Sequence, residues 1–294
     1  MEKIDRLGWA ESISFKCSGV RIGIRTTERG MFESLEPVLP PGRAPTSSPI
    51  VDRLYSLVVG GPGPRPNVHR MNILYNGAAR VARHRELTPV LDQLGAEVRR
   101  VVAQAAPRRV FIHAGVVAWR GRAIVIPGRT MSGKSTLVAE LLRAGATYYS
   151  DEYAVLDERG LVHPFAKPLS LRKPGSYEAI DYSLDKFDAV VGVKPLPIGL
   201  VAITHYRAGA RWRPRVLSAA QGALAMLSHA VAVRRKPKKV IETLRHAVAP
   251  ALILKGIRGE AAELAADLFS RIDGIAISAP AKVNRDRVRR EMMQ

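Results

Sequence analysis

A chain of 294 residues with 47% hydrophobic and 24% charged side chains can bury a sizeable core, as one large domain or two smaller ones. No apolar run approaches the ~18 residues of a membrane span, the single cysteine, Cys17, excludes an internal disulfide, and the mixed-charge start Met1-Glu-Lys-Ile-Asp-Arg lacks the apolar core of a signal peptide, so a cytoplasmic location is expected. The net charge of +20 is concentrated in residues 201–294, where 18 Lys and Arg face 7 Asp and Glu; such a surface attracts polyanions, and it equally describes a solvated arginine-rich exterior.

Residues 11–25 hold a strand-like stretch in which Val20, Ile22 and Ile24 alternate with polar or small residues. A Pro/Gly/Ser-rich loop is expected over 36–49, a strand over 54–59, a second loop over 60–66 and a third strand over 71–75. A helix follows, with Thr88 suited to the N-cap and Pro89 to the first helical position. Val90, Leu94, Val98, Val101 and Val102 fall on one face of it, and it should stop before Pro107. A domain boundary is placed near residue 105. Residues 1–105 then form a small α/β or β-rich N-terminal domain, and residues 106–294 an α/β catalytic domain.

In that second part, Phe111–Trp119 and Ala123–Ile126 read as strands joined by an Arg120-Gly121-Arg122 turn, followed by a helix over 133–144 that Gly145 ends. Residues 148–156, 161–165 and 200–204 read as further strands. Ser218-Ala-Ala-Gln221 has the form of a capping box opening a helix to about Val233. Lys236–Lys239 reads as a basic turn, 251–254 as a strand, 260–272 as an amphipathic helix, and the charged tail after Lys282 is expected to fray.

The chemistry is concentrated at Gly128-Arg-Thr-Met-Ser-Gly133-Lys134-Ser135, which fits G-x-x-x-x-G-K-[ST] in full, after an apolar strand and before a helix. Four fixed positions match by chance in about one chain in a hundred of this length. Gly128 and Gly133 permit close backbone approach, and the loop N–H groups at a helix N-terminus face phosphates with partial positive charge. Lys134 neutralises the β- and γ-phosphates, and the Ser135 hydroxyl ligates Mg²⁺. The residues expected at ATP are thus Gly128, Arg129, Thr130, Met131, Ser132, Gly133, Lys134, Ser135 and Thr136.

Asp151 and Glu152 open the next strand, about where a P-loop fold brings its sheet edge beside the phosphates. Such a pair is often a solvated turn. Here one carboxylate can orient or deprotonate an attacking hydroxyl while the other holds Mg²⁺ through water. His113 opens the strand before the loop and is either a structural or a catalytic imidazole. Arg172, Arg207, Arg211, Arg213 and Arg215 are candidates to steady transferred charge; Arg172 is preferred, with Lys167 as a weaker companion.

These residues resemble the HPr kinase/phosphorylase family and its relatives, chiefly over His113 to Phe165. The likeness rests on His113-Ala-Gly, the Arg120-Gly turn, the P-loop helix ending at Ala144-Gly145, and Ser150-Asp151-Glu152. The segment Phe165-Ala-Lys-Pro-Leu-Ser-Leu-Arg172 looks like one in lasso-peptide kinases of the same group. The resemblance implies a P-loop core of the HPr kinase type, with Asp151 as catalytic base, Glu152 as metal-associated acid and His113 as active-site histidine. It also points to a homo-oligomer. The family's second acidic residue is usually Asp, where this chain has Glu152, and its downstream glycine-rich signature is missing. The expected activity is therefore transfer of the γ-phosphoryl group of Mg²⁺–ATP to a serine or threonine hydroxyl of a peptide or small protein, rather than to HPr. The alternatives are a kinase of a small hydroxyl metabolite such as free serine, and a non-enzymatic nucleotide-binding module. No helix-turn-helix, zinc-finger or aromatic-rich RNA motif is found, which argues against nucleic acid.

Overall fold

The computed structural model describes residues 3–62, 69–129, 131–172 and 179–278. Thr130, part of the 60–66 loop and the tail after Lys282 lie outside the described residues. The fold is mixed α/β, built on two larger sheets.

The first sheet comprises β1 (Glu11–Cys17), β2 (Val20–Thr26), β3 (Ala44–Pro45), β4 (Arg53–Val58), β7 (Asn72–Asn76) and β8 (Ala79–His84), in the order β3-β1-β2-β4-β7-β8; two-residue strands β5 (Gly61–Pro62) and β6 (His69–Arg70) pair separately. Residues 11–25 are a hairpin rather than one strand: the chain reverses at Ser18-Gly19, and Phe15 faces Ile22. β8 was not expected, because its Arg-rich sequence carries almost no apolar alternation.

The one-turn helix α1 (Phe32–Leu35) precedes α2 (Thr88–Ala105), which lies against this sheet. Leu87, not Thr88, takes the cap position of α2, and no side chain caps it. A lost cap costs ~1 kcal/mol, whereas each buried Val or Leu contributes ~1.5–3 kcal/mol. Val90, Leu94, Val98 and Val102 are all fully buried, so packing decides that this segment is helical. The same hydrophobic cluster includes Phe111, Tyr153, Val155 and Phe165, so apolar contact is continuous across residue 105.

The second sheet contains β9 (Val110–Trp119), β10 (Arg122–Pro127), β11 (Thr147–Ser150), β12 (Tyr153–Leu156), β13 (Val162–His163), β16 (Ile198–Tyr206), β17 (Arg215–Val216) and β18 (Leu252–Arg258). β10, β16 and β18 run parallel, while β9 joins β10 antiparallel through the Arg120-Gly121 turn. A small ribbon, β14 (Leu169–Arg172) and β15 (Ala179–Tyr182), lies beside it.

Helices cover both faces, as a sheet with parallel central strands requires. α3 (Lys134–Arg143) and α6 (Ala261–Ser278) pack on one face with Ile124, Ile126, Leu200 and Leu254. On the other, α4 (Ala219–Leu227) and α5 (Pro237–Val248) meet Val125, Val201 and Ile253. Alternate residues of β10 therefore serve opposite layers. The Ser218–Gln221 capping box forms, but its helix stops at Leu227. Residues 236–239 are not a basic turn: Lys236 caps α5, and Lys238 and Lys239 lie in its first turn. Among the described residues no helix is long and apolar enough to cross a membrane.

Candidate functional site

The site forms where β9 holds two chain segments at one level. On one side of β9, Gly128, just past β10, donates its N–H to the His113 carbonyl oxygen at 3.2 Å. On the other, β11 and β12 both pair with β9, and the Ala114 N–H donates to the Glu152 carbonyl oxygen at 3.2 Å. Asp151 and Glu152 do not open a strand, as expected from the sequence, but occupy the break between β11 and β12. Ser150 shapes that break, its Oγ accepting from the N–H groups of Glu152 and Tyr153 at 3.1 and 3.0 Å.

The glycine-rich loop leads into α3 through Gly133, which sits at φ +78°, in the left-handed region that favours glycine. Lys134 turns its ammonium back on the loop, donating to the Arg129 carbonyl oxygen at 2.7 Å. Burial holds that ammonium below the usual lysine value; Asp151 opposes the shift and Arg172 adds to it. Ser135 Oγ lies 3.5 Å from Asp151 Oδ2.

Asp151 is buried, and four groups set its direction. The Tyr148 hydroxyl is 3.2 Å from Oδ1, the Ser170 N–H donates to Oδ2 at 3.2 Å, Ser135 faces Oδ2, and the Lys167 ammonium stands 3.3 Å from Oδ1. Burial and the adjacent Asp151 push the Tyr148 phenol far above its ordinary value, so it stays neutral, its one hydrogen shared between Asp151 Oδ1 and the Lys167 carbonyl oxygen at 3.0 Å. Glu152 sits differently, its Oε2 lying 3.0 Å from Arg99 Nε of α2.

A cavity of about 450 Å³ joins these groups; Lys134, Ser135, Thr136, His113, Asp151, Glu152, Lys167, Arg172, Met131 and Gly133 line it, with Arg99, Ser170 and Leu171. Asp151, Lys134, Ser135, Glu152, His113 and Arg172, expected from the sequence as site residues, thus share one cavity wall. Arg207, Arg211, Arg213 and Arg215 are not part of that wall. His113 does not open its strand but is the fourth residue of β9, its ring 4.8 Å from that of Tyr153.

Sequence reasoning missed Arg99, Tyr148, Ser170 and two residues behind the loop. Arg258, at the end of β18, is buried and donates through Nη2 to the Gly133 carbonyl oxygen at 3.0 Å and through Nη1 to the Gly259 carbonyl oxygen at 2.9 Å. It holds the start of α3 from beneath, with Tyr206 5.2 Å from its guanidinium carbon. His229, which follows α4, bonds through its carbonyl oxygen to the His113 N–H at 2.9 Å. Neither residue belongs to a local motif that could have revealed it.

Both histidines are held below their ordinary value of 6.5, first by burial and then by the Lys134 charge. The unfolded chain therefore takes up protons near pH 6.5 that the folded chain refuses, so the stability involved is present above pH 6.5 and is lost as pH falls through the lower folded values. His113 is exposed, so solvent screens its share, and the half-buried His229 is the better probe of the effect. The melting temperature is expected to fall as pH is lowered from 7 to 5.5 from this source. His229→Gln should flatten that slope in a thermal scan, and an unchanged slope would contradict the assignment.

Among the described residues, no three His, Cys, Asp or Glu side chains converge as a metal cage. Ser135, Asp151 and Glu152 nonetheless bring hydroxyl and carboxylate oxygens, the ligand type Mg²⁺ takes, to the wall of one cavity. That ion needs only one or two protein oxygens when phosphates and water complete its shell.

No family model matches this sequence. No curated protein matches it either. The loop, the acidic break and the cavity are therefore the basis for a functional reading.

Proposed function

We propose that the chain is an ATP-dependent phosphotransferase with a core of the HPr kinase type, moving the γ-phosphoryl group to a serine or threonine hydroxyl of a peptide or small protein. The observation that carries this reading is a buried carboxylate, Asp151, facing the Ser135 hydroxyl at 3.5 Å in the cavity that Lys134 also lines. A strand-fed glycine-rich loop with a carboxylate in reach is the arrangement in-line phosphoryl transfer uses.

In this reading the amides of residues 128–135 cradle the phosphates, and Lys134 leaves the Arg129 carbonyl oxygen to meet the β- and γ-oxygens. Ser135 and Glu152 would hold Mg²⁺, which would supply neutralisation of the phosphate charge. Asp151, aimed by its four neighbours, accepts the acceptor's hydroxyl proton. The acceptor oxygen bonds to γ-phosphorus as the bond to the β-phosphate oxygen breaks, and ADP leaves. Arg172, exposed at the rim, would steady the moving charge.

Incubation with γ-labelled ATP, a serine- and threonine-containing peptide pool and free serine, followed by mass spectrometry, tests the reading. Phosphopeptide is the expected product. Transfer to free serine alone would move the acceptor to the metabolite class, and ATP binding without any transfer would overturn the enzyme assignment.

A further inference from the structure

Arg99 enters the site from outside the loop-bearing sheet. It projects from α2, which packs on the first sheet, and its guanidinium makes two contacts in opposite directions. Nη1 donates to the Val38 carbonyl oxygen at 3.0 Å, in the turn of residues 36–38, while Nε lies 3.0 Å from Glu152 Oε2. Both Nε and Oε2 are shut off from solvent, yet their angle misses that of a hydrogen bond. The pair is thus an ion contact lacking hydrogen-bond alignment, on the wall of the cavity that Lys134, Ser135 and Asp151 also line.

The structure assigns Arg99 a positioning role: it ties Glu152 to the N-terminal sheet and α2, making that part of the chain a working component of the phosphoryl-transfer site. The inference rests on the kinase reading of the same cavity. Its physical basis is the breadth of the guanidinium, which hydrogen-bonds a carbonyl through Nη1 while keeping its charge 3.0 Å from a carboxylate, a span lysine's single ammonium does not offer. With its Oε2 shut off from solvent and the rest of its side chain half-buried, Glu152 has in Arg99 both a counter-charge and a direction. A purely structural ion pair would contribute to folding alone. A positioning contact leaves a signature of two opposite signs when it is removed. Without Arg99 the carboxylate is short of a counter-charge and attracts a divalent cation more strongly, but it is no longer aimed, and turnover falls.

The test compares Arg99→Met, Arg99→Lys, Glu152→Gln and the Arg99→Met/Glu152→Gln double variant of the full chain. Two readouts are used: binding of a fluorescent ATP analogue across a Mg²⁺ titration, and phosphoryl-transfer kinetics. Arg99→Met should lower the half-saturating Mg²⁺ for nucleotide binding by roughly threefold to tenfold. It should also lower kcat by about tenfold with the ATP KM unchanged. Arg99→Lys should fall between it and wild type. In the Glu152→Gln background, Arg99→Met should change neither quantity further. An unchanged Mg²⁺ response in Arg99→Met, or the same change with and without Glu152, overturns the role of Arg99 while leaving the kinase reading intact. Failure of the wild-type chain to bind nucleotide overturns both.

Discussion

Asp151→Asn is expected to bind ATP within about threefold of wild type while losing about 10²–10⁴-fold in turnover, the span a positioned proton acceptor supplies. Asparagine keeps the shape that Tyr148, Ser170 and Ser135 surround, so the loop should stay in place. What disappears is the charge that meets Lys167 at 3.3 Å and the group that takes up the acceptor's proton. Isothermal titration with ATP and a steady-state transfer assay separate the two quantities. Turnover close to wild type would remove Asp151 from the chemistry, and a loss of affinity matching the loss of turnover would make it a structural support for the loop.

Lys134→Ala should damage binding and turnover together. A hydrogen bond to a charged partner is worth ~1.5–3 kcal/mol, which corresponds to about 10–100-fold in nucleotide affinity. The loss in kcat/KM should exceed this, because charge on the transferred group grows in the transition state. Among the described residues the ammonium hydrogen-bonds only to the loop's own Arg129 carbonyl oxygen, so its removal should leave the melting temperature nearly unchanged. Calorimetry and a thermal scan of the same variant check both halves. Wild-type ATP affinity in Lys134→Ala would refute the phosphate-binding role of the loop.

Local pattern carried much of this site. The glycine and lysine spacing of 128–135 is a rule about one loop, and the apolar alternation of 123–126 announced the strand feeding it. The position of Asp151 after α3 was legible for the same reason. Pattern failed where the decisive contact lies far along the chain. Nothing beside Arg99 marks Glu152 as its partner, since that meeting depends on how α2 packs against Phe111 and Tyr153. Arg258 is equally silent, an arginine at a strand end whose role appears only when β18 comes level with the loop. The helix at 237–248 failed differently. Val240, Leu244, Ala247 and Val248 do have helical spacing, but the lysine-rich start of the segment has the composition of a solvated turn. Strand β8 carried too little apolar signal, its place being decided by register with β7.

Strand β9 acts as a common ruler for the molecule's two working parts. Its residues 113–115 set the height of the loop on one side and of the acidic break on the other, and α3 rests close over Gly115, where an added Cβ would stand 2.6 Å from Val138 Cγ2. Misplacement of this one ribbon would detune both parts at once. Variation in its interior would then mimic injury to the ligand-touching side chains while sparing every one of them, and silent-looking replacements there belong beside the obvious ones in any survey of inactive forms.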